Sequence, residues 1–259
     1  MTDHDLLAHK VFFEIHSDLP RQCGGSDAST LKALELVRAG LPDAPQIADL
    51  GCGPGAASLV LLEALPTAYV YAVDLHTPFL AELKRRADSL QLSDRLAYAS
   101  EDMLALSVEP DSLDLIWCEG AIYNCGVERS LKAWRKYLKP GGRVVFNEIV
   151  WLVPETDRPT DLAGFWHEYP AMTDVEGVRG FIDAAGYKTL GEFNLPDADW
   201  WASYYSPMEQ RLDKLAAVYA GVKEAEDVLA GARQEIDLRR RYPEACTYRY
   251  FAVEPIGEA

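Results

Sequence analysis

Short apolar runs bounded by turn residues alternate with amphipathic segments through the first two thirds of the chain. This alternation is typical of βαβ units and predicts a doubly wound α/β fold on a parallel sheet. The pattern predicts five strands, at 46–50, 68–74, 95–100, 113–118 and 142–149, and helices at 56–65, 78–90 and 128–138. Lys139-Pro140-Gly141-Gly142 should stop the last of these helices, because proline cannot continue a helix.

Less regular segments surround these units. Ser29 is predicted to cap a helix at 30–39, following a loop at 24–26. Residues 151–173, rich in proline and aromatic residues, are interpreted as a lid. A helical stretch ending at 185–186 and a strand at 187–195 follow it. Helices at 207–220 and 223–241 are then inserted before a closing strand at 247–254.

Composition places the chain among folded globular proteins. Its 259 residues fit one large domain or two modest ones, and 49% are apolar and 25% charged. The net charge of −16, with no basic run longer than Arg239 to Arg241, argues against a nucleic-acid substrate. No signal peptide or membrane-length apolar run is recognised, and the five cysteines suggest neither a disulfide framework nor a zinc site. A cytoplasmic protein is therefore expected.

The chemistry is expected at a glycine-rich turn after the first strand. Asp49-Leu50-Gly51-Cys52-Gly53-Pro54-Gly55 leads from a strand into a helix, so that a ligand can lie against bare backbone at the helix N-terminus. Asp74 ends the next strand, where an acidic side chain can accept both ribose hydroxyl protons. Together the two features predict a nucleoside-bearing ligand.

Two classes of cofactor compete for this turn. The spacing Gly51-x-Gly53-x-x-Ala56 nearly satisfies a dinucleotide-binding pattern, which would place a pyrophosphate at the helix N-terminus. Asp49 argues against that reading, because a carboxylate there suits a ligand that carries an ammonium group better than one that carries phosphates. An amino-acid tail on the nucleoside is implied.

These residues resemble the class I S-adenosylmethionine (SAM) dependent methyltransferases, and more narrowly a bacterial small-molecule subgroup of the type 11 or 25 kind. The resemblance is carried mainly by Ile47 to Gly55, Val73-Asp74, Glu101-Asp102-Met103 and Leu138 to Gly142. The segments Phe12 to Arg21, Trp117 to Tyr123 and Trp200 to Pro207 point to the subgroup. The resemblance implies a Rossmann-like sheet of seven mostly parallel strands with an antiparallel last strand.

The resemblance also implies one domain over 1–259. Within it lie an N-terminal lid and helix (1–45), a cofactor-binding core (46–150), a lid (151–180), a helical insertion (199–242) and a closing strand (246–255). Asp49 and the Gly51 to Gly55 backbone, with Cys52 as a space-filler, would hold the methionine part of SAM. Asp74 with Leu75 would hold the ribose, Asp102 with Met103 the adenine, and Glu119 would lie beside the sulfonium and the acceptor.

The acceptor is expected to be a small molecule. Candidate bases are Glu119, His167 and Glu168, of which Glu119 and His167 are the predicted catalytic residues. Substrate contacts are predicted from aromatic residues clustered in the lid and insertion, namely Tyr123, Trp166, Tyr169, Trp200, Trp201 and Tyr204. No metal site is expected, since Glu119, Asn147 and Glu148 make an incomplete ligand set.

Two other functions remain open at this point. One is a nicotinamide-dependent oxidoreductase, which the near-dinucleotide spacing favours and Asp49 opposes. The other is a non-catalytic SAM-binding protein. The protein is expected to be a monomer or a homodimer without a membrane partner.

Overall fold

The computed structural model describes residues 3–257, in which helices and strands alternate along the chain. The strands are β1 (Gln46–Leu50), β2 (Tyr69–Val73), β3 (Leu96–Ala99), β4 (Leu113–Cys118), β5 (Leu138–Trp151), β6 (Thr173–Asp174), β7 (Tyr187–Asn194) and β8 (Cys246–Pro255). The α-helices are α1 (Asp3–His16), α2 (Asp27–Glu35), α3 (Ala56–Ala64), α4 (Thr77–Ser89), α5 (Val127–Trp134), α6 (Thr160–Phe165), α7 (Val175–Ala184), α8 (Ala198–Trp200), α9 (Ser206–Val218) and α10 (Lys223–Arg241).

The strands form a single sheet in the order β3-β2-β1-β4-β5-β8-β7, with the short β6 paired to β5. The pairs among β1 to β5 are parallel, and β8 runs antiparallel to both β5 and β7. The α/β class, the mostly parallel sheet and the antiparallel last strand are thereby confirmed.

Buried apolar side chains cover both faces of the central strands. Ile47 and Leu115 belong to one core cluster, whereas their neighbours Ala48 and Ile116 belong to the other. Successive residues of a strand point to opposite faces, so a sheet that is covered on both sides shows the continuous apolar runs from which these strands were predicted.

The order of the strands creates a crevice at one edge of the sheet. The chain passes outward from β1 through β2 to β3 and then crosses back to place β4 on the other side of β1. Ligands of open α/β sheets bind outside the carboxyl ends of the strands where the order reverses. The glycine turn after β1, Asp74 after β2 and Glu119 after β4 all lie at this edge.

Several boundaries differ from those predicted. Ser26, not Ser29, is the N-cap of α2: its hydroxyl accepts from the Ser29 amide, and the helix ends at Glu35 rather than near residue 39. The predicted helix at 128–138 ends at Trp134 and continues as a 3-10 turn to Tyr137. Residues 139–142 therefore lie in the first part of β5 instead of stopping a helix.

Three short elements, α6, α8 and β6, were not predicted. α1 lies in the predicted N-terminal lid and helix, α6 lies within the predicted lid, α8 precedes α9, and β6 begins the crossover that continues in α7. The C-terminal end of the predicted lid therefore belongs to the sheet, through β6, and to the helix α7 that follows it. Within residues 3–257, no helix combines the length and the apolar character that a membrane crossing requires.

Candidate functional site

The turn between β1 and α3 is held open by its backbone conformation. Gly51 and Gly55 have φ values of +70° and +84°, in the left-handed region that favours glycine. A Cβ at Gly51 would collide with the Cβ of Ala121, and one at Gly55 would collide with Leu83 of α4. The amides of Gly51 and Cys52 both donate to the Val73 carbonyl, at 2.8 and 3.0 Å, which ties the turn to the end of β2.

Asp49 lies beneath this turn, at the end of β1, and is 1% exposed. Its Oδ2 accepts a hydrogen bond of 2.5 Å from the Ser58 hydroxyl. Burial raises the pKa of the Asp49 carboxyl to about 7. Among the described residues no cation pairs with it, so this carboxyl is suited to a ligand that brings a positive charge.

Asp74 follows β2 and faces the same turn. Its Oδ2 accepts from the Gly53 amide at 2.8 Å, and its Oδ1 accepts from the His76 amide at 2.8 Å. These bonds fix the plane of the carboxylate, and each oxygen keeps a further lone pair for a ligand hydroxyl. Leu75, which is 71% exposed, lies beside it at the mouth.

The loop after β3 adds a third side of the site. Asp102 is exposed, and its Oδ1 accepts from the Leu104 amide at 2.9 Å, so the residue also serves as a turn former. The Met103 side chain approaches the glycine turn, where its Cε would lie 3.3 Å from a Cβ on Gly51. Both residues face the crevice that Asp49 and Asp74 line.

Glu119, after β4, is bound by the protein itself. Its Oε1 accepts from Thr30 Oγ1 at 2.8 Å and from Trp117 Nε1 at 2.9 Å, and its Oε2 accepts from Arg21 Nη1 at 2.8 Å. The side chains of Arg21 and Glu119 are 5% and 6% exposed. The protein's own donors, one of them a guanidinium, thus hold both oxygens of this carboxylate.

One cavity of about 890 Å³ brings most of the predicted residues together. Its cofactor side contains the turn and the carboxylates described above. The other side, here called the aromatic chamber, is lined by Tyr123, Phe165, Trp166, Tyr169, Tyr204, Met208, Glu235 and Tyr248. The predicted residues that line the cavity are Asp49, Gly51, Cys52, Gly53, Asp74, Leu75, Asp102, Met103, Glu119, Tyr123, Trp166, Tyr169 and Tyr204.

Four predicted residues lie outside the lining of this cavity. Gly55 begins α3 and makes room for Leu83. His167 is exposed on a 3-10 turn, as is its neighbour Glu168. Trp200 and Trp201 are turned away from the chamber. The positions of these side chains therefore give no support to the prediction of His167 as a catalytic base or of Trp200 and Trp201 as substrate contacts.

Trp200 is a packing residue. Its ring stacks on Tyr248, with the centroids 5.0 Å apart and the planes 3° from parallel, and on Tyr205 at 5.6 Å. Its Nε1 donates to Thr247 Oγ1 at 3.2 Å. Trp201, by contrast, lies near the surface with the Arg240 guanidinium 4.9 Å above its ring.

Sequence reasoning missed several residues of the cavity. Arg21 and Gln22 belong to the segment between α1 and α2, His16 ends α1, and Glu235 lies on α10. His16 and Arg21 lie in the segment Phe12 to Arg21, which resembles the methyltransferase subgroup, but no role was predicted for either side chain. No local motif marks Gln22 or Glu235, because contacts across many intervening residues bring them to the site. The sequence indicates only that Glu235 is an acidic residue on a helix of the predicted insertion.

Comparisons with known proteins agree with this geometry. A model described as a methyltransferase domain matches residues 47–142. The trans-aconitate 2-methyltransferase of Variovorax paradoxus (strain S110) is 28% identical, over 73% of this chain and 85% of that protein. The ubiquinone/menaquinone biosynthesis C-methyltransferase of Paracoccus denitrificans (strain Pd 1222) is 31% identical, over 41% of this chain and 43% of that protein. Residues 47–142 therefore form a methyltransferase domain, and the chain is a SAM-dependent methyltransferase.

The fold of this methyltransferase also matches a solved structure along nearly its whole length. A SAM-dependent methyltransferase from Geobacter sulfurreducens, crystallised with S-adenosylhomocysteine, superposes with a TM-score of 0.79 at 18% identity, covering 95% of this chain and 98% of that one. Methyl transfer is the reaction class and SAM the cofactor. Neither the nicotinamide-dependent alternative nor the non-catalytic one finds support in these relatives.

Proposed function

We propose that this methyltransferase moves the methyl group of SAM to a nitrogen, oxygen or carbon atom of a small molecule held in the aromatic chamber. The observation that carries the proposal is the placing of Asp49 and Asp74 on two sides of one bare-backbone turn. Asp49 is buried without a cationic partner and would bind the ammonium of the methionine part. Asp74 has a fixed plane and would bind the ribose hydroxyls.

The cavity fits this cofactor in a further respect. Gln22 Oε1 is buried and accepts no hydrogen bond from the described residues, whereas Gln22 Nε2 donates to the His16 carbonyl at 3.0 Å. The Gln22 side chain lies next to the turn, since its Cγ would be 3.2 Å from a Cβ on Gly53. An unpaired acceptor at this point would receive a donor from the bound cofactor, because buried polar groups are costly when left unpaired.

The other cofactor contacts follow from the same arrangement. Asp102 and Met103 would contact the adenine from the loop after β3, and the Gly51 to Gly53 backbone would contact the methionine part. Cys52 fills space: burial raises the pKa of its thiol well above its usual value, which keeps the thiol neutral. Glu119 would hold Arg21 and the N-terminal segment against the cavity.

The acceptor would be a small molecule with an apolar or aromatic body. Aromatic side chains dominate the chamber, and burial raises the pKa of the Tyr204 hydroxyl well above its usual value, so that it remains a neutral donor. A net charge of −16 speaks against a nucleic acid as partner, and five free cysteines suit a reducing cytoplasm. The working form would be a monomer or a homodimer.

When bound, SAM supplies an electrophilic methyl group on a sulfonium. The chain positions the reactants: alignment of the acceptor atom with the methyl carbon and the sulfur can supply roughly 7 to 11 kcal/mol of the barrier. Residues of α1 and the segment after it, together with residues of α6, α9 and α10, line the cavity and would shield the reacting atoms from water. Within residues 3–257, no group of three or more His, Cys, Asp or Glu side chains is arranged to hold a metal ion.

The proposal is tested by methyl transfer from SAM labelled in its methyl group. The purified protein is incubated with labelled SAM and a bacterial cell extract, whose small-molecule and macromolecular fractions are then separated. We expect label in one or a few small molecules, which mass spectrometry then identifies. Asp74→Ala should abolish the transfer, whereas Asp94→Ala, an exposed carboxylate outside the cavity, should retain it. Label that appears only in macromolecules would contradict a small-molecule acceptor.

A further inference from the structure

Glu235 is a carboxyl group inside the cavity that the cofactor does not require. It lies on α10, on the wall formed by the helical insertion, and it lines the aromatic chamber. Its Oε1 accepts a hydrogen bond of 2.8 Å from the Tyr205 hydroxyl. Its Oε2 accepts none from the described residues.

The surroundings of Glu235 differ from those of Asp74 and Glu119. Asp74 accepts two backbone amides, and Glu119 accepts three side-chain donors including a guanidinium. Glu235 forms no ion pair with the described residues, and its one hydrogen-bond donor is a neutral hydroxyl. The ionisable groups that face it are Tyr123, Tyr204, Tyr205 and Cys246.

We infer that Glu235 is a catalytic residue that accepts the proton of the methyl acceptor, and that the acceptor carries an O–H or N–H at the atom that is methylated. This inference rests on the proposed function and concerns the acceptor side of the same cavity. Tyr205 is a positioning residue, since its hydroxyl donates to Oε1 and leaves Oε2 without a donor from the described residues.

The step balances in atoms and charge. The lone pair of the acceptor atom forms the new bond to the methyl carbon, and the carbon–sulfur bond breaks with its electron pair left on sulfur. The acceptor proton passes to Glu235 Oε2. A sulfonium, a carboxylate and a protic acceptor thereby become a thioether, a carboxylic acid and a methylated product, and solvent removes the proton when the product leaves.

The raised pKa of Glu235 and the positions of the other candidate bases favour this role. Burial raises the pKa of its carboxyl, and a carboxylate of raised pKa takes a proton more readily than an ordinary one. Glu119, by contrast, is held by Arg21, Thr30 and Trp117. His167 and Glu168 are exposed and do not line the cavity.

The test compares Glu235→Gln with wild type in the labelled-methyl assay on the small-molecule fraction. Glutamine keeps an oxygen that can accept from Tyr205 but cannot take the proton. We expect the transfer rate to fall by about 100-fold or more, with the affinity for S-adenosylhomocysteine changed less than about threefold. Asp237→Asn makes the same chemical change at an exposed position of α10 and should retain the wild-type rate.

A second readout separates proton transfer from a structural role. The wild-type rate should rise with pH as Glu235 loses its proton. Tyr205→Phe removes the donor that favours the ionised carboxyl, so the midpoint of this rise should move to higher pH. A structural role for Glu235 would leave the midpoint in place.

The outcomes distinguish the two proposals. If Glu235→Gln transfers label at the wild-type rate, the inference is wrong and the proposed function stands; His16, which also lines the cavity, would then be the next base to test. If the wild type does not bind S-adenosylhomocysteine, the proposed cofactor site is wrong. A wild type that binds it and labels no small molecule would contradict both the acceptor class and the role of Glu235.

Discussion

Arg21 Nη1 lies 2.8 Å from Glu119 Oε2, and both side chains are buried. Arg21 also donates to Asp27 Oδ1 at 2.9 Å and to Thr30 Oγ1 at 3.1 Å. This pair joins the segment after α1 to the carboxyl end of β4. Its position explains how residues far apart in the chain come to enclose one cavity, and why Glu119 is occupied by the protein.

Removal of Arg21 should destabilise the protein strongly. Arg21→Met leaves the Glu119 carboxylate buried without its cation, and breaking a buried pair in this way costs about 3 to 5 kcal/mol. Chemical denaturation monitored by circular dichroism measures the change in the free energy of unfolding. Arg233→Ala, which breaks an exposed pair with Asp213, is the matched control and should have little effect. Equal changes in the free energy of unfolding for the two variants would show that the buried pair contributes no more to stability than the exposed one.

The sequence predicts the central sheet well because its strands are covered on both faces. The run 113–118 is apolar except for Asp114, and turn residues mark the ends of such runs, so the local pattern predicts the strands. The start of α2 was misplaced because Ser26 and Ser29 are both good caps, and only the surrounding contacts select between them. Ser26 also donates to Asp199, which is distant in the chain.

The residues of the candidate site likewise fall into those that the local sequence predicts and those that it does not. The glycine turn and Asp74 follow from local spacing, whereas Gln22 and Glu235 reach the cavity through tertiary contacts that leave no local pattern. Aromatic residues show most clearly what the local sequence does not predict, namely which side chains face the cavity. Tyr204 and Trp200 are neighbours in a segment that was predicted to bind substrate, but one faces the chamber and the other packs on Tyr248.

Loss of the Asp74 carboxylate should weaken cofactor binding without unfolding the protein. Each charge-assisted hydrogen bond to the ribose contributes about 1.5 to 3 kcal/mol, so Asp74→Ala should lower the affinity for S-adenosylhomocysteine by about 100-fold or more. Asp74→Asn keeps an acceptor for the Gly53 amide and should lie between the two. Calorimetric titration measures these affinities, and circular dichroism verifies the fold. An unchanged affinity in Asp74→Ala would mean that the ribose lies elsewhere.

Cofactor affinity should depend on the protonation of Asp49. Burial raises the pKa of this carboxyl in the folded protein from 3.8 to about 7. The folded state therefore binds more protons than the unfolded state between these values, and stability falls as the pH rises from about 4 to about 7. A ligand ammonium prefers the ionised form, so affinity should increase up to about tenfold per pH unit below pH 7 and level off above it.

The pH dependence is measured by titrating S-adenosylhomocysteine into the protein at several pH values between 5.5 and 8.5. Asp49→Asn should bind weakly and lose most of the pH dependence, because the amide does not ionise. Persistence of the full wild-type pH dependence in that variant would assign it to another group.

The two adjacent tryptophans should behave differently when truncated. Trp200 is 4% exposed and stacked between Tyr248 and Tyr205, so Trp200→Ala should reduce the free energy of unfolding by about 3 to 5 kcal/mol. Trp201→Ala, at a more exposed position, should cost roughly 1 kcal/mol or less. Thermal and chemical denaturation compare the two. Full stability together with loss of methyl transfer in Trp200→Ala would contradict the packing role and support the prediction that Trp200 contacts the substrate.

Calorimetric titration of the wild-type protein with S-adenosylhomocysteine, and separately with NAD, tests the central claim most directly. Two carboxylates on either side of a bare turn should bind the sulfur-containing nucleoside with micromolar affinity, one molecule per chain, and give no heat of binding with NAD. Binding of NAD with no response to S-adenosylhomocysteine would contradict this account of the site.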